Sequence, residues 1–311
     1  MAHDVTLFSG RANPALSADI ARHLGVRPGR CTIDRFPDGE SSVRLDEAVC
    51  GHEVVLVQPT APPVNDHLVE LLALADACRR GVARRITAVI PYYGYARSDK
   101  RHNELEPIMG RVVADLLQSV GISHVVTMDL HTPQIEGFFR APVDSLSAME
   151  SLCAAMRPRL PRDFVVVAPD AGRAVLAARY AQCLGAEVVV LHKRRTEDRV
   201  ETVRVVGDVA GRSCLLIDDM ISTGGTLAQA VAVLLGKGAK PDIVIAATHG
   251  LFIGPARERL DLPAIGAIFV TDTIAPTQRD WPKLHIVSVA PVFAHAVKRY
   301  VEATTGDRSL S

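Results

Sequence analysis

Short runs of apolar residues alternate along the chain with stretches in which apolar side chains recur every three or four positions. Several runs are apolar almost throughout, which is typical of parallel strands covered on both faces. The runs predict strands at 54–57, 86–90, 124–128, 164–167, 187–191, 213–217, 243–248 and 267–270.

The intervening stretches have the spacing of amphipathic helices. In 66–79 the residues Leu68, Leu71 and Ala75 fall on one stripe, and 227–237 repeats the pattern. A further helix is predicted at about 293–304. Strands that alternate with helices predict an α/β fold with parallel sheets.

The two halves of the chain resemble each other in their order of features. Each half has a strand that ends in a turn, a strand that leads into a basic segment, and a strand that ends in acid. The stretch 142–147 leaves the periodic pattern. We therefore expect two domains, 1–145 and 146–311, with the packing of the last helix on the first domain left open.

Composition excludes several classes of partner. Lys plus Arg equals Asp plus Glu at 35 each, so no overall field attracts nucleic acid or an anionic membrane. No apolar run approaches the length that spans a bilayer, and the N-terminus lacks the pattern of a signal peptide. The six cysteines form no CxxC pair. We expect a cytoplasmic protein with reduced thiols, and neither nucleic acid nor membrane as a partner.

The strongest chemical pattern is the sequence SCLLIDDMISTGGTL at 213–227. An apolar strand ends at two acids, and a loop of small polar residues then opens a helix, which is where α/β sheets bind ligands. The loop's N–H groups and the helix dipole favour a phosphate, and the acids are placed to accept hydrogen bonds from vicinal hydroxyls. The predicted sugar-phosphate site is Asp218, Asp219, Ser222, Thr223, Gly224, Gly225 and Thr226.

This segment resembles the phosphoribosyl-binding loop of type I phosphoribosyltransferases. The resemblance implies two similar phosphoribosyltransferase-like domains, each a mostly parallel sheet flanked by helices. Four further segments match the ribose-phosphate diphosphokinase family in order and spacing. That family makes phosphoribosyl diphosphate from ATP and ribose 5-phosphate.

Three of the matching segments lie in the first half and are expected to bind ATP. In RFPDGESSVRL the resemblance places Phe36, Asp38, Gly39 and Glu40 around adenine, often across a subunit interface, which implies a homodimer at least. In PYYGYARSDKRH it assigns Arg97, Ser98 and Asp99 to ATP, although the family usually has Gln at position 98. In TMDLHTPQIEGFF it places His131 against ATP phosphate and Mg²⁺.

The fourth match covers VVVAPDAGRAVLAARYA and LHKRRTEDR. The resemblance implies that Asp170 binds Mg²⁺ near the ribose, and that Lys193 and Arg195 are the catalytic Lys-x-Arg pair on a mobile loop. Arg195 is also expected to contact ribose 5-phosphate. Charge accumulates on phosphoryl oxygens in such a transition state, so a pair of cations suits the reaction. Arg173 stands where the family commonly has Gly.

Two other functions remain open from the sequence. One is a phosphoribosyltransferase, which leaves the segments at 36–40, 91–102 and 127–139 without a role. The other is a non-catalytic regulatory homologue, which is expected to lose Lys193 and its neighbours.

Regulation is predicted to differ from the ADP-inhibited, phosphate-activated class of the family. Positions that carry Ser, Arg and Ser in that class hold Ala48, Cys50 and Val82 here. A thiol does not replace the forked charge of arginine. The hypothesis is that ADP inhibits only by competing with ATP, although nearby arginines leave a different anion pocket open.

Overall fold

The computed structural model describes residues 5–101, 103–195, 201–278 and 280–305, with all side chains in these ranges apart from those of 193–195, 201–203 and 305. Two compact units are formed. The first contains the described residues up to Ser147, Thr273–Ala275 and the stretch from Ser288. The second contains Ala148–Asp272 and the described part of 276–287.

Strands and helices alternate along much of the chain, as the periodicity predicts, with some runs of consecutive strands. Up to residue 146 they are β1 (Val5–Ser9), α1 (Pro14–Leu24), β2 (Cys31–Arg35), β3 (Ser41–Leu45), β4 (Glu53–Val57), α2 (Val64–Arg80), β5 (Arg85–Ile90), α3 (Met109–Ser119), β6 (His124–Met128) and β7 (Val143–Leu146). They continue with α4 (Met149–Met156), β8 (Phe164–Ala168), α5 (Ala174–Leu184), β9 (Glu187–Arg195), β10 (Glu201–Val206), β11 (Ser213–Ile221), α6 (Gly225–Gly236), β12 (Ile243–Gly250), α7 (Ala256–Leu260), β13 (Ile265–Thr271), β14 (Leu284–Val287) and α8 (Ala290–Thr305).

The first unit is built on a parallel sheet with the strand order β1-β4-β5-β6-β7. Strands β4 and β6 are buried along their whole length. Leu71 and Leu74 of α2 are buried in the same core. Outside this sheet, β2 and β3 form an antiparallel hairpin.

The C-terminal helix α8 belongs to the first unit. Its Tyr300 ring stacks on the His124 ring of β6 with centroids 3.5 Å apart. At its end, the Thr304 carbonyl accepts a hydrogen bond of 2.7 Å from the Arg85 guanidinium. The sequence left the packing partner of this helix open, and these contacts place it on the first sheet.

The second unit has the sheet order β10-β9-β8-β11-β12-β13-β14. All neighbours are parallel except β10 and β9, which pair antiparallel. Leu227, Val231 and Leu234 of α6 are buried in one core with residues of β8 and β11. The α/β class, with mostly parallel sheets flanked by helices, is confirmed.

Two predictions from the apolar pattern are corrected by the structure. The stretch 142–147 contains an edge strand, β7, whose Val143–Leu146 pairs with β6. An edge strand is half exposed, so its sequence lacks the continuous apolar run of a central strand. The strand predicted to end at residue 217 continues as β11 to Ile221, because β12 pairs with it as far as Gly250. The two acids therefore lie inside β11.

Gly94 fixes the turn that follows β5 against the turn that follows β4. Its N–H donates to the Thr60 hydroxyl oxygen at 2.6 Å. A Cβ atom at position 94 would lie 2.5 Å from the Thr60 carbonyl oxygen and 2.9 Å from a Val64 methyl group. Because residue 94 has no side chain, the two turns approach each other closely. The basic segment at 97–101, which follows the second turn, therefore lies close to the sheet.

We predict that Gly94→Ala lowers the free energy of unfolding by about 1–3 kcal/mol, because backbone atoms must move to accept the methyl group. Urea unfolding of the full chain measures the change. Gly137→Ala is the matched control, since a Cβ there meets no atom within 4 Å. Equal stability of the two variants would contradict the close approach.

Candidate functional site

Three predicted site segments of the second unit follow or end adjacent strands. Strands β9, β8 and β11 are neighbours and run parallel. Asp170 comes two residues after β8, the two acids lie in the last part of β11, and positions 193–195 end β9. Because parallel strands end at one edge of a sheet, the positions predicted for metal binding, sugar binding and catalysis all come to this edge.

The loop after β11 is held in shape from behind. The Ser222 carbonyl accepts from the Ile253 N–H at 3.1 Å, and the Thr223 carbonyl accepts from Arg259 Nη1 at 3.1 Å. Gly224 caps α6 with a φ of 73°, and a Cβ there would lie 3.0 Å from Leu260 Cγ. The loop thus requires glycine at its tightest point.

The front of this loop opens the helix α6. The side chains of Thr223 and Thr226 are exposed, that of Ser222 is half-buried, and Gly225 begins the helix. Hydroxyls and N–H groups at a helix N-terminus form an anion-binding arrangement. Arg259 was missed by the sequence reasoning, because nothing in the RERL stretch of α7 marks one arginine as the residue that reaches the loop.

Asp218 and Asp219 form a buried acid pair beside this loop. Their side chains are 14% and 7% exposed, and the Asp219 N–H donates to Asp218 Oδ1 at 2.9 Å. Burial raises the pKa of Asp218 to about 8, with a further contribution from the negative charge of Asp219, while Arg173 acts in the opposite direction.

Arg173 bridges both acids. Its Nε lies 3.1 Å from Asp218 Oδ1, and its Nη2 lies 3.1 Å from Asp219 Oδ1. The sequence identified Arg173 as an added positive charge near the site. Its pairing with the acids was not predicted, because the sequence does not show which side chains the turn after β8 directs towards β11.

Asp170 organises the turn that carries Arg173. It caps the short 3-10 turn Ala171–Arg173, where its Oδ1 accepts from the Arg173 N–H at 3.1 Å. The Asp170 side chain is half-buried at the edge of the sheet. A carboxylate has two oxygens, so this capping contact is compatible with the metal-binding role that the resemblance implies.

Lys193 and Arg195 are placed differently from the loop that the resemblance implies. Their backbones are part of β9, where Lys193 pairs with Val203 and Arg195 with Glu201 of β10. The antiparallel partner extends β9 beyond the predicted strand, which ended at 191. Their side chains lie outside what the structure describes.

In the first unit, two predicted ATP segments meet at the carboxyl edge of the sheet. Strands β5 and β6 are parallel neighbours, and the Thr132 hydroxyl donates to Asp99 Oδ2 at 2.8 Å. This bond joins the basic segment to the segment of half-buried His131. Arg97 is exposed, which suits a cation that meets a soluble polyphosphate. His102 lies outside the described residues.

The Ser98 side chain caps the start of α3. Its hydroxyl oxygen accepts from the Met109 N–H at 3.1 Å, at the first residue of α3, and its carbonyl accepts from the Gly110 N–H at 3.0 Å. The side chain thus satisfies a donor of a helix start that has no other side-chain cap.

The third predicted ATP segment is the tip of the β2–β3 hairpin. The Phe36 N–H donates to the Glu40 carbonyl at 2.8 Å, and Asp38 Oδ1 accepts from the Glu40 N–H at 3.1 Å. Gly39 has a φ of 97°, which the tight turn requires. Phe36 is 52% exposed. The tip thus presents an aromatic ring and two carboxylates to solvent.

The predicted regulatory positions lie together in the first unit. The Gly51 N–H donates to the Val82 carbonyl at 2.9 Å, which brings Val82 next to the stretch with Ala48 and Cys50. The nearby arginines are engaged with acids at 2.5–3.6 Å. These pairs are Arg79 and Arg80 with Asp76, and Arg84 and Arg85 with Glu53.

Two further properties concern the described part of the chain only. It holds no group of three or more His, Cys, Asp or Glu side chains arranged to bind a metal ion. Within the same residues, every helix is too short or too polar to cross a bilayer. A Mg²⁺ ion usually keeps several waters and takes one or two carboxylates, so Asp170 and His131, each in its own unit, suit places with a single protein ligand and substrate phosphates better than a closed protein cage.

Comparison with known proteins gives one family along the chain. Residues 5–121 match the model of the N-terminal domain of ribose phosphate pyrophosphokinase, and residues 200–306 match the phosphoribosyl synthetase-associated domain. The ribose-phosphate pyrophosphokinase of Rhodopirellula baltica is 46% identical over 302 residues, which are 95% of each chain. That of Corynebacterium efficiens is 44% identical over 304 residues, 96% of this chain and 93% of its own.

A solved structure agrees with these sequence matches. The crystal structure of phosphoribosylpyrophosphate synthetase from Mycobacterium smegmatis has a TM-score of 0.90 and 42% identity, and the match covers 96% of this chain and 99% of that one. The fold and the matches along the chain define an α/β pyrophosphokinase. The chain belongs to the ribose-phosphate pyrophosphokinase family.

We predict that the buried acid pair makes stability depend on pH. The unfolded chain releases the Asp218 proton near pH 4, whereas the folded chain holds it to about pH 8. The free energy of unfolding therefore decreases between these values, by up to about 1.4 kcal/mol per pH unit, and levels off above them.

Urea unfolding of the wild type and of Asp218→Asn across pH 5–9 isolates this contribution. The variant lacks the titrating group, so its stability should decrease less steeply with pH. Parallel curves for the two proteins would contradict the raised pKa.

Proposed function

We propose that this protein transfers the β,γ-diphosphoryl group of ATP to the C1 hydroxyl of ribose 5-phosphate, which yields phosphoribosyl diphosphate and AMP. The observation that carries the proposal is made at the edge of the second sheet. There the acid pair Asp218 and Asp219 lies beside the loop 222–226 at the start of α6, and Arg259 holds this loop through the Thr223 carbonyl. Relatives that are 44–46% identical along nearly their full length are named ribose-phosphate pyrophosphokinase, the enzyme that catalyses this reaction.

The acceptor is assigned to the second unit. The 5-phosphate binds the N–H groups and hydroxyls of residues 222–226 at the start of α6. Asp218 and Asp219 accept hydrogen bonds from the ring hydroxyls. This arrangement fixes both ends of the sugar, which leaves the C1 hydroxyl as the group that reacts.

The donor is assigned to the first unit. Arg97 and Asp99 lie in the basic segment after β5, and His131 lies in the segment to which Asp99 is joined. The hairpin tip with Phe36, Asp38 and Glu40 provides the surface for adenine, because an aromatic ring stacks on a base and a carboxylate accepts from its amino group. The exposed tip also suits a site completed by a second copy of this chain, so we propose a homodimer at least.

Mg²⁺ is the proposed cofactor. His131 is proposed to hold it beside the ATP phosphates, and Asp170 is proposed to hold it near the ribose, each together with substrate oxygens. When bound, it neutralises phosphate charge and polarises the phosphorus that is attacked. Oxygen and imidazole donors at strand ends, with few protein ligands at each place, fit this ion's preference for a shell that is largely water and phosphate.

The chemical step is an in-line displacement at the β-phosphorus. The oxygen of the C1 hydroxyl forms the new bond to this phosphorus, and its proton is released to solvent. The bond from the phosphorus to the bridging oxygen breaks, and AMP leaves with that oxygen and the bonding electron pair. Lys193 and Arg195 are the proposed catalytic cations that stabilise negative charge on the phosphoryl oxygens.

The two other functions considered from the sequence are less well supported. A phosphoribosyltransferase does not need the donor segments at 36–40, 91–102 and 127–139, yet the first-half match to a pyrophosphokinase domain covers 5–121. A regulatory homologue would not need Lys193, Arg195, His131 and Asp170, all of which the chain retains. We propose a cytoplasmic enzyme of nucleotide biosynthesis.

The deciding experiment is AMP formation from ATP, assayed with and without ribose 5-phosphate. We predict formation that requires the sugar and that decreases by at least 100-fold in Lys193→Ala, with the substrate KM values within about threefold of wild type. The reason is that a cation needed mainly in the transition state lowers kcat when it is lost.

Arg194→Ala is the matched control, because it removes a positive charge from the adjacent position, to which no catalytic role is assigned. Turnover of Lys193→Ala within threefold of wild type would contradict the assignment. AMP formation that does not need the sugar would contradict the proposed function itself.

We also predict that ADP inhibits only by competing with ATP. Val82 and Cys50 offer neither a hydroxyl nor a guanidinium at the regulatory positions, and the nearby arginines are paired with Asp76 and Glu53. Initial rates at varied ATP and fixed ADP measure the mode of inhibition. Inhibition that persists at saturating ATP, or sigmoidal dependence on ribose 5-phosphate in the presence of ADP, would show a separate site.

A further inference from the structure

One guanidinium group joins the two acids of the acceptor site. Arg173 Nε is 3.1 Å from Asp218 Oδ1, and Arg173 Nη2 is 3.1 Å from Asp219 Oδ1. All three side chains are largely buried, with exposed fractions of 19%, 14% and 7%. The bridge therefore lies within the site and is shielded from solvent, where a charge interaction is stronger than at the surface.

The position of Arg173 follows from the ends of two adjacent strands. The pairing of β8 with β11 ends at Val167 and Leu216, so Asp218 and Asp219 lie in the part of β11 that extends beyond β8. The turn Ala171–Arg173 occupies the space beside that extension. Asp170 caps this turn, and a Cβ at Gly172 would lie 3.1 Å from Asp170 Oδ1. The turn is thus compact and directs Arg173 towards the acids.

The Arg173 guanidinium holds together two acids whose side chains would otherwise diverge. Consecutive residues of a strand point to opposite faces, and two neighbouring carboxyl groups repel each other when both are ionised. A planar guanidinium with several fixed donors is able to hold two carboxylates at once, whereas an ammonium is a single point charge. Arg173 meets the Oδ1 atom of each acid, so the same group sets the orientation of both.

We propose that Arg173 is a positioning residue that holds Asp218 and Asp219 as one acceptor for the vicinal hydroxyls of a pentose phosphate. The proposal rests on the proposed function and names the residue that sets the selectivity for a sugar with both hydroxyls. Arg173 acts through the acids. Its removal separates the two carboxylates without removing either of them.

The first test compares steady-state kinetics of Arg173→Gln, Arg173→Lys and wild type. We expect Arg173→Gln to raise the KM for ribose 5-phosphate at least tenfold, with kcat and the KM for ATP within about threefold. Arg173→Lys should lie between, because its ammonium cannot present a fork to two carboxylates. Titration calorimetry with ribose 5-phosphate should show the same order of affinities. An unchanged or lower KM in Arg173→Gln overturns the proposal.

Arg212→Gln is the matched control for a general loss of stability. Arg212 also bridges two acids of the same unit, Asp163 at 3.0 Å and Glu187 at 2.6 Å, and its side chain is 22% exposed. It precedes β11 at the end of the strand away from the site. We expect this variant to keep the wild-type KM values. A similar rise in the KM for ribose 5-phosphate would assign the effect to folding and overturn the proposal.

The second test uses 2-deoxyribose 5-phosphate, which lacks one of the two hydroxyls. Wild type should bind ribose 5-phosphate much more tightly than the deoxy sugar, since an acid that loses its hydrogen-bond partner is left unsatisfied. In Arg173→Gln this ratio should decrease at least fivefold. An unchanged ratio overturns the proposal, whereas failure of wild type to bind either sugar contradicts the proposed function.

Discussion

The parallel alignment of β9, β8 and β11 is the constraint on which the second unit's site depends. Because the three strands are adjacent and run in one direction, positions 193–195, Asp170 and the acid pair come to one edge of the sheet. They are separated by up to 49 residues in the sequence, and no local turn is able to bring them together. The same rule places the basic segment and His131 at one edge of the first sheet.

At the edge of the second sheet, the charges around Asp218 and Asp219 determine the protonation and the orientation of the two acids. Two buried carboxylates are unfavourable in isolation, and burial together with Asp219 raises the pKa of Asp218. Arg173 offsets part of this cost through two contacts of 3.1 Å. Asp170 caps the turn that carries Arg173. The residue proposed to bind Mg²⁺ therefore also positions the Arg173 guanidinium.

Much of this fold is predictable from hydrophobic periodicity, because central parallel strands are apolar along their length. All eight predicted strands lie within observed ones. The edge strands β1, β7, β10 and β14 and the hairpin strands β2 and β3 were missed, since these strands mix polar and apolar residues. The extension of β11 through Asp218 and Asp219 was also missed, because acids at a predicted strand end look like the beginning of a loop.

The site was predictable where a motif carries its own chemistry, as in the loop 222–226. It was not predictable where a role depends on a distant partner. Arg259 reaches the Thr223 carbonyl from α7, and Ser98 caps α3 from within the basic segment, eleven residues earlier in the sequence. Arg173 attracted notice as a change of charge, but only its neighbours in space reveal that it joins the two acids.

The central claim is attack by the sugar's C1 oxygen on the β-phosphorus of ATP. ATP labelled with ¹⁸O at the bridge between the α- and β-phosphorus tests it directly when it is incubated with the protein and ribose 5-phosphate. Attack at the β-phosphorus breaks the bond between this phosphorus and the bridging oxygen, so mass spectrometry should find the label in AMP. Label retained in the diphosphate of the sugar product, or no AMP formed with the sugar present, would contradict the account.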